Sequence, residues 1–181
     1  PSIGFDNQKA MCRMAKKVID LGHRNLALVS AETILNDRAK ARQLGIEDAM
    51  VAANLCAKTL HIVKTTYGIE EGATAFEQVM KAAPQTTAVF CGNDVLAVGA
   101  LRRARELGFK VPQDVSIIGF DDIELAEIAY PALTTVHVPH REMGRRAGEA
   151  LIKLLNEGTQ IEAVELEASL VFRDTLAPAR N

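Results

Sequence analysis

The stretch Thr86–Asp122, TTAVFCGNDVLAVGALRRARELGFKVPQDVSIIGFDD, decides how the rest of the chain is read. Its apolar run Ala88–Cys91 is too short for a helix and stops at Gly92, and Asn93-Asp94 stands before an apolar-periodic segment. That is the pattern of strand, turn and helix. Leu107-Gly108 then supplies a helix stop, Val111-Pro112 a break, and Val115–Gly119 a second strand signal that runs into Asp121-Asp122. The unit is βαβ.

The same beat continues on both sides. Ser2–Phe5 is strand-like, and Asp6 and Asn7 are candidate N-caps for an amphipathic helix over about Gln8–Leu21. Leu26–Val29 is a strand, a helix carrying Arg42 follows through about Asn54, Thr59–Val63 is the next strand, and Glu70–Ala83 the next helix. Strands alternating with helices predict an α/β protein built on a doubly wound parallel sheet with right-handed crossovers. After Asp122 the rhythm changes to a short helix, Ile123–Ala129, and a β-branched strand, Leu133–Val138. A helix over about Arg141–Asn156 is read with Met143, Ala147, Ala150, Leu151, Leu154 and Leu155 inward, and Ala163–Phe172 as one or two strands.

Composition narrows the function classes. The chain has 181 residues, 48% of them hydrophobic, and 21 basic against 23 acidic side chains give a net charge of −2. Without a basic excess or stripe it is a poor nucleic-acid binder by itself. No apolar run approaches the ~20 residues of a membrane span. Cys12, Cys56 and Cys91 lack CxxC spacing and read as small core residues, and the four histidines share no metal-ligand spacing. GxSxG, HExxH, a P-loop and GxGxxG are all missing, so neither an enzyme nor a cofactor is expected.

In an open parallel sheet, ligands bind beyond the carboxyl ends of the strands. That rule selects Ser30–Arg38, Thr65–Tyr67, Gly92–Asp94 and Phe120–Asp122. Carboxylates, an amide, guanidinium groups and an aromatic face suit a polar, hydroxyl-rich small molecule. Asp94 reads first as a helix N-cap, and of Asp121 and Asp122 one caps the following helix, with Asp121 assigned to the pocket. Spacing alone leaves Arg42 and Tyr67 equally readable as surface residues.

The segments PSIGFDN, LGHRNLALVS, RQLG, FCGNDVLAVGAL, ARELGFKVPQDVSIIGFDD, PALTTVHVP and LVFRDT resemble, in order and spacing, the effector-binding part of lactose-repressor-type (LacI/GalR) transcription regulators. The resemblance covers Pro1 to about Pro178. It implies a periplasmic-binding-protein-like fold with an effector between two lobes and a homodimeric assembly. Residues 24–133 with 162–177 would form the C-terminal lobe, and 1–22 with 134–158 a remnant of the N-terminal lobe. The DNA-reading head is expected to lie outside these residues, so operator DNA would be met only through it.

Carried over position by position, the effector contacts fall on Asn36, Arg38, Arg42, Tyr67, Asn93 and Asp121, with His137 and His140 as further candidates from the first lobe's side. The resemblance implies a sugar or sugar derivative as effector, although Val138 stands where some sugar-responsive members have a polar residue. It also implies a cytoplasmic protein. The alternative, an extracytoplasmic sugar-binding protein of a transporter, shares the architecture but not the VP-D-SIIGFDD and P-LTTV wording. With part of the first lobe outside these residues, its two remaining strands are expected to pair with each other or with another chain.

Overall fold

The computed structural model describes residues 2–158 and 162–180. In chain order the elements are β1 (Ile3–Gly4), α1 (Asn7–Asp20), β2 (Leu26–Ser30), α2 (Asp37–Ala52), β3 (His61–Lys64), α3 (Ile69–Ala82), β4 (Ala88–Cys91) and α4 (Asp94–Glu106). They continue with β5 (Ser116–Ile118), α5 (Glu124–Ile128), β6 (Thr135–His137), α6 (His140–Glu157), β7 (Val164–Glu165) and β8 (Ser169–Val171). A single 3-10 turn, Ala57–Thr59, precedes β3.

Four strands form a parallel sheet in the order β3-β2-β4-β5. Every residue of β2 and β4 is buried, because both faces of a parallel sheet are covered by helices. The two faces divide the side chains at period 2. Leu26, Leu28 and Phe90 point to one core with Met11, Met14 and Ile46, while Ala27, Val29 and Val89 point to the other with Phe76, Val79 and Leu96. Helices α1 and α2 cover the first face, α3 and α4 the second. Gly45 lets α1 and α2 cross closely, since a Cβ there would overlap the Gln8 carbonyl oxygen.

The packing ties residues on both sides of the expected lobe division together. Helix α1 is buried through Met11, Met14, Ala15 and Val18 in the core it shares with β2, β4 and β5. The remaining strands also do not pair with each other. Strand β1 pairs in parallel with β7, and β6 pairs antiparallel with β8. Strand β6 also continues the main sheet past β5, through bridges Ile118 to Thr134 and Asp121 to His137.

Two further expectations fail for physical reasons. The apolar stripe of α6 is inward only at its start: Met143 packs against the core, whereas Leu151, Leu154 and Leu155 are 54%, 40% and 74% exposed, because no described element covers that end of the face. Cys91 is buried as expected, but Cys12 is only half-buried and Cys56 is exposed in the chain entering the 3-10 turn.

Candidate functional site

Strands β2 and β4 are neighbours whose chains leave toward opposite faces, β2 into α2 and β4 into α4. Their carboxyl ends therefore form the switch point at which such sheets open a crevice. Ser30 and Gly92 line it, and the Ser30 hydroxyl is buried without a hydrogen-bond partner. A Cβ on Gly92 would press on that hydroxyl at 3.2 Å.

On the first helix after this point, Asn36 caps α2 by accepting from the Ala39 N–H at 2.9 Å. The cap sets the helix so that Arg42 turns inward, leaving it 7% exposed. Its Nη1 donates to Asn7 Oδ1 at 2.8 Å and its Nη2 to the Tyr67 hydroxyl at 3.3 Å. The guanidinium carbon lies 4.8 Å from the centre of the Phe120 ring, which in turn stacks on Phe5 at 6.0 Å. Asn36 Nδ2 donates to the same Tyr67 hydroxyl at 3.4 Å. The Arg42 Nε–H is buried with no partner. A buried, unsatisfied cationic donor is costly, and a ligand acceptor would relieve it.

Asp121 follows Phe120 with φ +106, a backbone conformation that L side chains rarely adopt. It is held there by its N–H to the Val136 carbonyl at 2.9 Å. Burial raises its carboxyl above the ordinary carboxylate range, and the charges of Arg42, His140 and Arg38 act in the opposite direction. His140 Nε2 is 3.8 Å from Asp121 Oδ1. A cavity of about 510 Å³ adjoins this group, walled by Ile123, Val138 and Pro139 with His137 and His140 at its edge.

The structure thus gathers Asn36, Arg42 and Tyr67 into one hydrogen-bonded chain, with Asp121, Arg38 and His140 around it. Two candidates have side-chain partners outside this hydrogen-bonded chain. Asn93 is the N-cap of α4, its Oδ1 accepting from the Leu96 N–H at 3.0 Å, and His137 bonds Asp122 at 2.9 Å. The expected roles of the carboxylates also change. Asp94 is no cap but the first helical residue, fully buried, and neither Asp121 nor Asp122 caps α5, whose cap position is Ile123. Asp122 instead accepts from Arg173 Nη2 at 2.8 Å.

Asn7 belongs to the group and was not chosen from sequence, and Phe120, though inside a selected stretch, was not named as a contact. The strand-end rule could have found Asn7, three residues after β1, but its place at the start of α1 made it look like a cap. Asp6 does that work, accepting from the Lys9 N–H at 2.9 Å. Among the described residues there is no cluster of three or more metal-ligating side chains, and no helix is long and apolar enough to cross a membrane.

Residues 15–176 match the model of the periplasmic binding protein-like domain. The chain belongs to that family. Within it, the relatives are LacI/GalR regulators. The chain is 35% identical over 174 residues to the HTH-type transcriptional repressor PurR of Vibrio vulnificus, covering 95% of this chain and 52% of that protein. PurR of Salmonella newport is 35% identical over 175 residues, covering 96% of this chain and 51% of that one. This LacI/GalR-type chain therefore spans about half the length of the curated relatives it matches.

Solved structures agree. A LacI family transcriptional regulator from Enterococcus faecium with bound ribose superposes with a TM-score of 0.93 at 27% identity, over 98% of this chain and 66% of that one. The transcriptional regulator CelR in complex with cellobiose gives 0.85 at 27% identity, over 96% and 53%.

Proposed function

We propose that this chain is the effector-binding and dimerising part of a LacI-type transcriptional regulator, and that its effector is a small polar molecule of the sugar class. One observation carries the reading: the buried Arg42, ringed by Asn7, Tyr67 and Phe120, keeps an unpartnered Nε–H, and its charge acts on the Asp121 carboxylate. A cation offering spare donors, an anion accepting from hydroxyls and an aromatic face are the elements of polyol recognition. Ribose in one structural neighbour and cellobiose in another support the class.

In this reading Asn36, Arg38, Arg42, Tyr67, Asn93 and Asp121 contact the effector, and His140, with His137 behind it, adds the contacts from the β6 side. The mechanism is a population shift: an effector that prefers one arrangement of the lobes biases it and so alters how operator DNA is read by a head outside these residues. The protein works in the cytoplasm as a homodimer and catalyses no reaction. Support for a second copy is the exposed apolar surface at Leu107, Ile128 and Tyr130, where Arg105 holds the Tyr130 carbonyl.

A thermal-shift screen of sugars, sugar acids, sugar phosphates and nucleobases tests the effector class. A sugar should raise the melting temperature of the native chain and not that of Arg42→Ala. Stabilisation by nucleobases alone would replace the sugar assignment.

A further inference from the structure

Two of the strand-end loops that carry the candidate effector residues meet at one fully buried side chain whose partners are all in the protein. Asp94 is fully buried, and its backbone N–H donates to the Phe120 carbonyl at 2.9 Å. One carboxylate oxygen accepts from the Ile123 N–H at 2.9 Å, and the other from the Thr135 hydroxyl at 2.6 Å. The first two bonds bracket Asp121 in the loop after β5, and the third reaches β6. Asn93, the preceding residue, is fixed by the same helix start.

The surroundings are shaped for this contact. Gly119 lies against the carboxylate so closely that a Cβ there would overlap Asp94 Oδ1 and press on Leu133. Thr135 is itself completely buried, so its hydroxyl has no solvent alternative. Next to it, backbone bonds join loop to strand: Gly119 N–H to the Thr134 carbonyl, Asp121 N–H to the Val136 carbonyl, and Val138 N–H to the Asp121 carbonyl at 3.4 Å. Strand β6 leads directly into α6, so any force on the Asp121 loop is delivered to the start of that helix through these bonds.

We infer that Asp94 is a positioning residue of the cleft, a clasp that locks the loops of Asn93 and Asp121 to strand β6 so that effector contacts and β6 move as one body. The inference rests on the proposed effector cleft for its meaning but not for its test. Burial pushes the Asp94 carboxyl up to about 6, with the bonds from Thr135 and Ile123 opposing that rise and the charges of Asp121 and Asp122 adding to it. A carboxyl kept buried at this cost is consistent with a device rather than a filler.

Residue-resolved amide hydrogen exchange on the full chain, without ligand, decides the matter. In Thr135→Val, which removes one hydroxyl and keeps the shape, the amides of Leu96, Asp121 and Val138 should exchange about tenfold faster. Thr135→Ser should restore the native rates, and Leu28 and Phe90 in the central strands should be unchanged in both. Asp94→Ala should loosen the same three amides further. Faster exchange at Phe90 as well would reduce Asp94 to general stability, and an unmoved Asp121 amide in Thr135→Val would end the clasp. Since exchange needs no effector, a clasp without sugar binding, or sugar binding without a clasp, identifies which reading failed.

Discussion

Asp121 and Asp122 are adjacent, share positive φ values of +106 and +56, and face different partners. Asp121 turns toward Arg42, Arg38 and His140. Asp122 turns toward Arg173 at 2.8 Å and His137 at 2.9 Å, while Arg173 also donates to the Leu133 carbonyl at 2.9 Å. The twisted backbone lets one dipeptide serve the cleft with its first carboxylate and brace β6 and β8 with its second.

The two carboxylates should therefore separate in a mutational test. Asp121→Asn or Arg42→Ala should weaken binding of the sugar found by the thermal-shift screen by roughly 2 kcal/mol, about thirtyfold. Isothermal calorimetry reads this directly. Affinity unchanged from the native chain in both variants would remove them from the site.

Asp122→Ala should leave sugar affinity nearly native and lower stability. The Asp122 and Arg173 side chains are 15% and 20% exposed, so truncation strands a half-buried guanidinium. The loss should be about 2 kcal/mol in urea unfolding. A midpoint unchanged from the native chain would count against the brace.

Stability should depend on pH through two buried groups of opposite sign. Asp94 has its carboxyl raised from 3.8 to about 6. Between those values the unfolded chain ionises it and the folded chain does not. Its contribution is thus full below pH 3.8 and is lost as pH rises through 6, amounting to about 3 kcal/mol. His23 runs the other way: burial lowers its value from 6.5, the Ala177 carbonyl opposes that and Arg24 adds to it. Its contribution is present above pH 6.5 and lost as pH falls. Urea midpoints from pH 4 to 8 should show Asp94→Asn flattening the fall as pH rises from 4 to 6, and His23→Gln the fall as pH drops below 6.5; identical profiles in all three proteins would contradict both assignments.

Gly45→Ala should destabilise the chain by about 1–3 kcal/mol, because the added methyl overlaps Gln8 and Cys12 backbone atoms where α1 crosses α2. Since α2 carries Arg42 and α1 begins at Asn7, the same change should also disturb the 2.8 Å bond between them. Thermal unfolding checks the first effect, and the loss of sugar binding at temperatures where the variant is folded checks the second.

Much of this molecule is legible in one dimension because it is governed by local rules. The strand Ala88–Cys91 is observed with the boundaries read from its apolar run, and the alternation around it gives the parallel sheet. A short apolar run between breakers can satisfy its backbone only by pairing in a sheet, so its neighbours follow. The strand-end rule likewise pointed to the loops of Asn36, Tyr67 and Asp121, because sheet handedness fixes which edge opens.

Tertiary structure alone decided which polar side chain does what at those ends. Asn93 and Asp94 are equally good caps by type, yet only the position of Thr135, 41 residues away, makes Asp94 the buried clasp. Asn7 joins Arg42 across 35 residues, and α1 packs into the core of β2 for the same reason. The stripe on α6 shows the converse: sequence marked a face as apolar, but whether that face is covered depends on what lies against it. Periodicity records which side of an element avoids water, whereas partners far apart in sequence are chosen by packing and hydrogen-bond satisfaction in three dimensions.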